Sequence, residues 1–183
     1  MSDHRRYFLD HALLYVFSID IELGLDIEEI GVVPEGARVN LHCVPGSTRA
    51  YNIIRERTAA APGYSAVTGT IVWGEDVGVV REDDVAVPAV RACIRTDDGA
   101  LIETTYRGNL SLGMGGFRAI VAGADAVGTP DSPVEFHLIS TPAYCTADPR
   151  YQWLAEYQCV GFGRSFEIDG LFRRVTYDIY AMT

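Results

Sequence analysis

Hydrophobic and polar residues alternate along most of this chain, which is the pattern of β-strands that bury one face. The segment ALLYVFSIDIEL at 12–23 begins with an apolar run and then alternates. The segment ARVNLHCV at 37–44 alternates throughout, with Val39, Leu41 and Cys43 on one face. Both segments are predicted to be strands. Further strands are predicted at 66–74, in a hairpin over 89–108, and at 117–122, 134–140, 157–163 and 173–181.

Turn signals separate these segments and predict how they are joined. Asp97-Asp98-Gly99 lies between two alternating runs, and Asp-Gly supplies the positive φ that tight hairpin turns require. Short helices are predicted at 47–63 and at 149–156, where Pro149 suits a first helical position. Many short strands, with small residues inside them, favour a curved and closed sheet. We therefore predict an all-β fold, an antiparallel β-barrel of about eight to ten strands with one or two short helices.

Length and charge narrow the classes of function. A chain of 183 residues fits a single domain, with 1–10 as an N-terminal extension. A net charge of −10 argues against binding to nucleic acid, which relies on a basic field. No apolar run is long enough to span a bilayer, and the first residues lack the apolar region of a signal peptide. We expect a cytoplasmic protein with no membrane partner and with its four cysteines reduced.

The basic residues restrict the chemistry further. All 15 are arginine, so a catalytic lysine base and a Schiff base on lysine are excluded. GxGxxG, GKS/T and GxSxG motifs are absent, and GMGG at 113–116 is interpreted as a mobile loop. No cofactor is therefore predicted.

Several motifs resemble a family of mostly bacterial proteins catalogued as domain-of-unknown-function family 3237. They include IRTDDGALI at 94–102, DPRYQWLAEYQCVGFGR at 148–164 and VTYDIYAM at 175–182. The resemblance implies a single-domain antiparallel β-barrel, often dimeric, that contains a cavity. Positions that match the family pattern are Gly36-Ala37-Arg38, Gly74-Glu75-Asp76, Arg91, Tyr151, Trp153 and Leu154, whereas Val77, Ala155 and the insertion at 47–63 depart from it.

Arginine and histidine side chains share strand faces that have two interpretations. If the face of Arg38 and His42 points inward, these residues and Arg91 would line a cavity suited to an enolate or carboxylate. If it points outward, Val39 and Leu41 form the core instead. The alternation leaves both interpretations open.

Acidic, histidine and aromatic residues complete the candidate site. Asp76, after Trp73, would have its pKa raised if it were partly desolvated, which suits general acid/base work; a turn at a strand end is the alternative. His137 is a candidate general base or a polar residue of the sheet, and no metal-ligand spacing is present. Aromatic residues that could line or cap a cavity for a flat ligand are Trp73, Tyr106, Tyr144, Tyr151 and Trp153. For Trp153 the alternative is a core residue that fills the bottom of the barrel.

Two classes of function remain open at this point, and a structural dimer module is a third. The first is a cofactor-independent enzyme that holds a hydrophobic conjugated or aromatic, polyketide-like molecule, as in natural-product biosynthesis. Asp76 or His137 would move a proton, and Arg38 or Arg91 would stabilise an oxyanion, in an isomerase, cyclase or dehydrating lyase. The second is a barrel that carries or sequesters such a molecule without catalysis. A homodimer is expected in each case.

Overall fold

Antiparallel strands make up most of the protein in its computed structural model, which describes residues 12–24, 26–46, 49–51, 66–122, 131, 134–168 and 171–182. The predicted extension at 1–10 lies outside these residues. The strands are β1 (Leu13–Glu22), β2 (Glu28–Val33), β3 (Gly36–His42), β4 (Arg49–Tyr51), β5 (Gly69–Asp76), β6 (Val79–Val80), β7 (Val85–Val87), β8 (Ala89–Thr96), β9 (Leu101–Ser111), β10 (Val134–Ser140), β11 (Ala143–Cys145), β12 (Gln158–Ile168) and β13 (Leu171–Met182).

The strands form one sheet whose pairings return to their starting point. Pairing runs through β10, β12, β13, β1, β4, β5, β8 and β9, and β9 in turn pairs with β10. A branch from β9 through β7, β6 and β3 rejoins β5 and carries β2 at its edge. The predicted class, an antiparallel barrel-like sheet, is confirmed, although the described residues form a sheet of 13 strands rather than eight to ten. Four additional strands, β4, β6, β7 and β11, have only two or three residues, and the six residues of β2 do not alternate.

The predicted hairpin is present as β8 and β9. Gly99 has a φ of 93°, and its N–H donates to the carbonyl of Thr96. The predicted turn at 149–156 is a 3-10 helix over Gln152–Ala155. It packs over the core through Leu154, which is almost completely buried.

One local prediction is wrong, and another lies mostly outside the described residues. Residues 117–122 are not a strand, because α1 (Gly116–Ala122) is helical. Its start is fixed by Asp84, whose carboxylate accepts hydrogen bonds from the N–H groups of Gly115 and Phe117, both at 2.9 Å. The predicted helix at 47–63 lies mostly outside the described residues, and its described part is strand β4.

The core lies inside the ring of strands, where the inward residues of neighbouring strands meet. Ala92, Ile94 and Ile102 face the inward residues of β1 and β13 across it. Its most deeply buried large side chains are Phe17, Ile71, Ile94, Ile102 and Leu154.

Candidate functional site

A cavity of about 70 Å³ opens within the sheet, between the core and the β6–β7 hairpin. A buried water needs about 10–15 Å³, so the cavity has room for a small organic group. Its walls are mostly aliphatic side chains of β1, β3, β6, β7 and β13. The side chains with polar atoms that reach it are those of Cys43, Asp76, Tyr106, Ser165 and Tyr177.

An irregularity in β5 turns Asp76 towards this cavity. The register shifts between Ile71 and Trp73, so that Val72 has no partner on β8. A bulge of this kind exchanges the two faces of a strand for the residues that follow it. Ile71 is therefore buried before the shift, and Gly74 and Asp76 point inward after it.

Asp76 is the acidic group of the cavity. Its Oδ1 accepts a hydrogen bond of 2.8 Å from the N–H of Ala89. Burial outweighs that hydrogen bond and raises the pKa of the Asp76 carboxyl to about 6. Among the described residues that line the cavity, none is an arginine or a histidine. Asp76 can therefore take up or release a proton near neutral pH, which is what a general acid or base requires.

Two tyrosines stand next to Asp76 in the cavity wall. The rings of Tyr106 and Tyr177 meet edge to face, with centroids 5.4 Å apart, and their hydroxyls are hydrogen-bonded. Burial is the main cause that raises the pKa of both hydroxyls, and the nearby Asp76 carboxyl raises them further. Both tyrosines therefore stay neutral and can donate hydrogen bonds. Because one hydroxyl donates to the other, one hydroxyl hydrogen remains to point at a ligand oxygen.

Cys43 also faces the cavity, from the end of β3. Burial, and secondarily Asp76, raises the pKa of its thiol to about 11. The thiolate is the reactive form of cysteine, so Cys43 is a packing residue rather than a nucleophile. Gly74 makes room for it, since a Cβ at that position would lie 2.7 Å from the Cys43 sulfur.

Arg38 and His42 lie on the outer face of β3, so the outward interpretation of the alternation describes this strand, and neither residue lines the cavity. Alternation along β3 turns Val39 and Leu41 inward, and these two residues line the cavity. The His42 side chain is exposed, with its Nε2 3.5 Å from a carboxylate oxygen of Glu28.

Trp73 and Arg91 are also on the outside: the bulge in β5 turns Trp73 away from the cavity, and Arg91 contacts its ring. Trp73 is 40% exposed, and the Arg91 guanidinium stacks over its ring at 5.5 Å. Arg91 also forms a hydrogen bond of 2.8 Å with Glu103. Arg91 therefore does not line the cavity that contains Asp76.

His137 lies on the outer face of β10, since Leu138 and Ser140 are the buried residues of that strand. Its side chain is 84% exposed and its Nε2 is 4.0 Å from Glu135. The structure therefore does not bring His137 to the cavity with Asp76. The described residues contain no cluster of three potential metal-ligating side chains.

The remaining aromatic candidates lie outside the cavity that contains Asp76. Tyr144 lines a second, smaller cavity and packs edge to face on Phe17, with centroids 5.9 Å apart. Tyr151 is buried, and its hydroxyl donates to Asp98 at 2.9 Å, which ties the 3-10 helix to the β8–β9 hairpin. Trp153 packs against the core. Tyr151 and Trp153 line neither of these two cavities.

Of the predicted site residues, the structure brings Asp76 and Tyr106 together. Sequence reasoning missed Tyr177, Cys43 and Ser165. A signal for Tyr177 was present, because VTYDIY puts it on the same face as the apolar Val175 and Ile179. Nothing in the local pattern separates a tyrosine that lines a cavity from one that fills the core.

The fold and the cavity together define an antiparallel, barrel-like protein that holds a buried carboxyl group beside paired tyrosines. The chain belongs to the family described as "Protein of unknown function (DUF3237)", whose model matches residues 11–182. This confirms the resemblance seen in the sequence. The UPF0311 protein RPA1785 of Rhodopseudomonas palustris is 24% identical over 148 residues, which are 80% of this chain and 84% of that protein.

Solved structures share the fold. The crystal structure of RPA1785, a conserved protein of unknown function, matches with a TM-score of 0.72 and 21% identity over 96% of this chain and 99% of that one. A β-barrel-like protein from Acinetobacter baumannii matches with a TM-score of 0.68 and 20% identity, over 96% and 98% of the two chains. An enzyme from Penicillium herquei matches with a TM-score of 0.57 and 13% identity, over 94% and 95%.

Among the described helices, none has the length and apolar character that crossing a membrane requires.

Proposed function

We propose that this protein is a proton-transfer enzyme, acting without a cofactor on a small hydrophobic molecule with a conjugated carbonyl or phenol group. The observation that carries the proposal is the position of Asp76, a carboxyl group in an apolar cavity beside two neutral tyrosine hydroxyls. Isomerisation, cyclisation and dehydration all fit this arrangement, and natural-product biosynthesis is a setting in which such substrates occur. A relative of this fold is described as an enzyme, which supports catalysis as a use of the fold.

The proposed step uses only proton movement. The Asp76 carboxylate accepts a proton from a C–H next to the substrate carbonyl, and the electrons of that bond move into the conjugated system. Negative charge then develops on the carbonyl oxygen, where the hydroxyl of Tyr106 or Tyr177 donates a hydrogen bond. The Asp76 carboxylic acid returns the proton at another carbon, which completes an isomerisation and regenerates the carboxylate. In a dehydration the same acid would protonate a leaving hydroxyl, which departs as water.

In this mechanism the two tyrosines stabilise the oxyanion, a role predicted from the sequence for Arg38 or Arg91. A phenol with a raised pKa stays protonated, and in an apolar site it stabilises an oxyanion more strongly than it would in water. An arginine in the same cavity would instead lower the pKa of Asp76 and weaken it as a base.

A ketone-isomerisation assay tests the proposal. The probe is 3-cyclohexen-1-one, a small ketone whose isomerisation to the conjugated 2-cyclohexen-1-one is followed by its ultraviolet absorbance. We expect kcat/KM to rise as the pH passes through about 6, because only the Asp76 carboxylate is a base. Asp76→Asn should lower kcat/KM by at least about 100-fold. Asp83→Asn, at an exposed ion pair with Arg81, is the control and should leave the rate unchanged.

An Asp76→Asn variant that isomerises the ketone as fast as the wild type would contradict the proposal. A second candidate, a barrel that binds a ligand without converting it, is favoured by the small share of polar groups in the cavity wall. Binding of the ketone with no rate above that of the buffer, in wild type and variant alike, would support this candidate. The expected homodimer remains a prediction for either function.

A further inference from the structure

The paired tyrosines separate two cavities. The smaller one, of about 20 Å³, lies on the far side of the pair from Asp76. Tyr106 and Tyr177 line both cavities, together with Ile21, whereas Asp76 lines only the larger one. The rings therefore form the shared wall between a space that contains the carboxyl group and a space that does not.

The Tyr177 part of the shared wall is fixed by close packing. That residue is buried, and its ring lies over β12, where the inward positions are Gly161 and Gly163. A Cβ at Gly163 would lie 2.5 Å from Cδ1 and 2.6 Å from Cε1 of the Tyr177 ring. The glycines thus provide the space that the ring occupies. Tyr106 is less buried and closes the wall from β9 by its edge-to-face contact and hydroxyl bond.

The space behind the wall suits an apolar extension of a ligand. Its lining is mainly aliphatic and aromatic side chains, with the hydroxyls of Thr104 and Ser140 as polar groups. A molecule whose reactive group lies at Asp76 would reach this space only past the Tyr106 ring. Without that ring, the two cavities and the volume of the side chain would become one continuous space.

We propose that Tyr106 is a specificity-determining residue, which limits the length of the apolar part of the ligand. This inference rests on the proposed function, because it places the reactive end of the ligand at Asp76. The wild type would then take a hydrophobic ring with a short substituent. A variant with a small residue in place of Tyr106 would also take a ring with a longer alkyl chain or an additional fused ring.

A homologous series of ligands tests the inference. The probes are 4-n-alkylphenols from ethyl to octyl, whose dissociation constants are measured by calorimetry with the full-length protein. Each methylene that finds apolar space should lower Kd by about three- to fourfold, until the chain meets the wall and Kd stops falling. Tyr106→Ala should move that limit to longer chains, by at least two methylenes. Tyr106→Phe keeps the ring and loses the hydroxyl, so it should keep the wild-type limit.

Each result decides the question. The same limit in the wild type and in Tyr106→Ala would overturn the inference, and so would a failure of every alkylphenol to bind either protein. If Tyr106→Ala does not fold, Tyr106→Leu provides the same comparison, with a melting curve to confirm its folded state. A crystal structure of the variant with 4-hexylphenol should show the alkyl chain beside Thr104 and Ser140.

The ketone assay keeps the two proposals apart. If Tyr106→Ala shifts the chain-length limit but the wild type does not convert the ketone, Tyr106 still limits ligand length, in a barrel that binds without catalysis. Turnover that depends on Asp76, with an unchanged length limit, would support the enzyme and reject the role of Tyr106.

Discussion

At the scale of single residues, the chemistry of the site depends on which way Asp76 points. Strict alternation from Ile71 would bury Trp73 and expose Asp76, and one unpaired residue, Val72, reverses this outcome. The same reversal places Trp73 next to Arg91 on the outside. A single backbone irregularity thus decides which of two candidate residues reaches the cavity.

The pH dependence of stability tests the burial of Asp76. Its pKa is raised from 3.8 in the unfolded chain to about 6 in the fold, so the folded state binds the proton more tightly. This contribution to stability is fully present below the unfolded pKa and is lost as the pH rises through about 6. Compared with Asp76→Asn, the wild type should lose about 2 kcal/mol of unfolding free energy between pH 4 and pH 7.

Urea denaturation at several pH values measures this difference. Asp83→Asn serves as a control, since that carboxylate is exposed and should show the pH profile of the wild type. If the unfolding free energies of wild type and Asp76→Asn differ by the same amount at every pH in this range, the Asp76 carboxyl is solvated in the folded state.

Residue identity and spacing predicted only part of the site. Asp76 and Tyr106 could be named as candidates because a carboxyl near aromatic residues has a recognisable chemistry. The inward face of β3 could not be fixed, because Arg38 and Val39 alternate equally well in either orientation. The facing follows from pairing with other strands, of which β5 is distant along the chain and β6 has only two residues.

At the scale of secondary-structure elements, long alternating strands were predictable and the short or capped elements were not. β1, β8, β9 and β13 each carry enough alternating residues to show their period. α1 was mistaken for a strand, because its start depends on Asp84, which lies 31 residues before Gly115. A helix cap supplied by a residue from another segment cannot be recognised in the local pattern of hydrophobic residues.

Strand β12 shows how an element is shaped by its neighbour. Gly163→Ala should lower the unfolding free energy by roughly 1–3 kcal/mol, because the new methyl group would overlap the Tyr177 ring and the carbonyl oxygen of Thr176. Thermal unfolding of the variant measures this effect. Gly24→Ala is a matched control, since its nearest neighbour, the carbonyl oxygen of His42, would be at 3.4 Å. Equal losses in both variants would show that the ring moves aside without cost.

At the scale of the whole molecule, the ring of strands is completed by a short seam. β10 and β9 pair through only Leu138 with Leu110, Ile139 with Asn109, and Ser140 with Gly108. A Cβ at Gly108 would lie 2.6 Å from the carbonyl oxygen of Ile139, so no other residue fits at this crossing without a backbone shift.

Gly108→Ala should therefore open the seam while the long pairings of β12 with β13 remain. We expect faster amide hydrogen exchange in 108–110 and 138–140 than in the wild type, with little change in 175–181. Exchange followed by mass spectrometry of peptides distinguishes these regions. Uniformly faster exchange in all three would show that the seam and the rest of the sheet open as one unit.

The pairing of β1 with β13 has a consequence for how the molecule is made. Ser18 lies opposite Asp178, so strands separated by nearly the whole described chain must meet before either edge is satisfied. Distant pairings of this kind form slowly, and they leave unpaired edges exposed in the meantime. During synthesis β1 is translated long before β13, so the edge of β1 that pairs with β13 stays unpaired until β13 has been made. An unpaired edge of this kind is prone to aggregation in that interval.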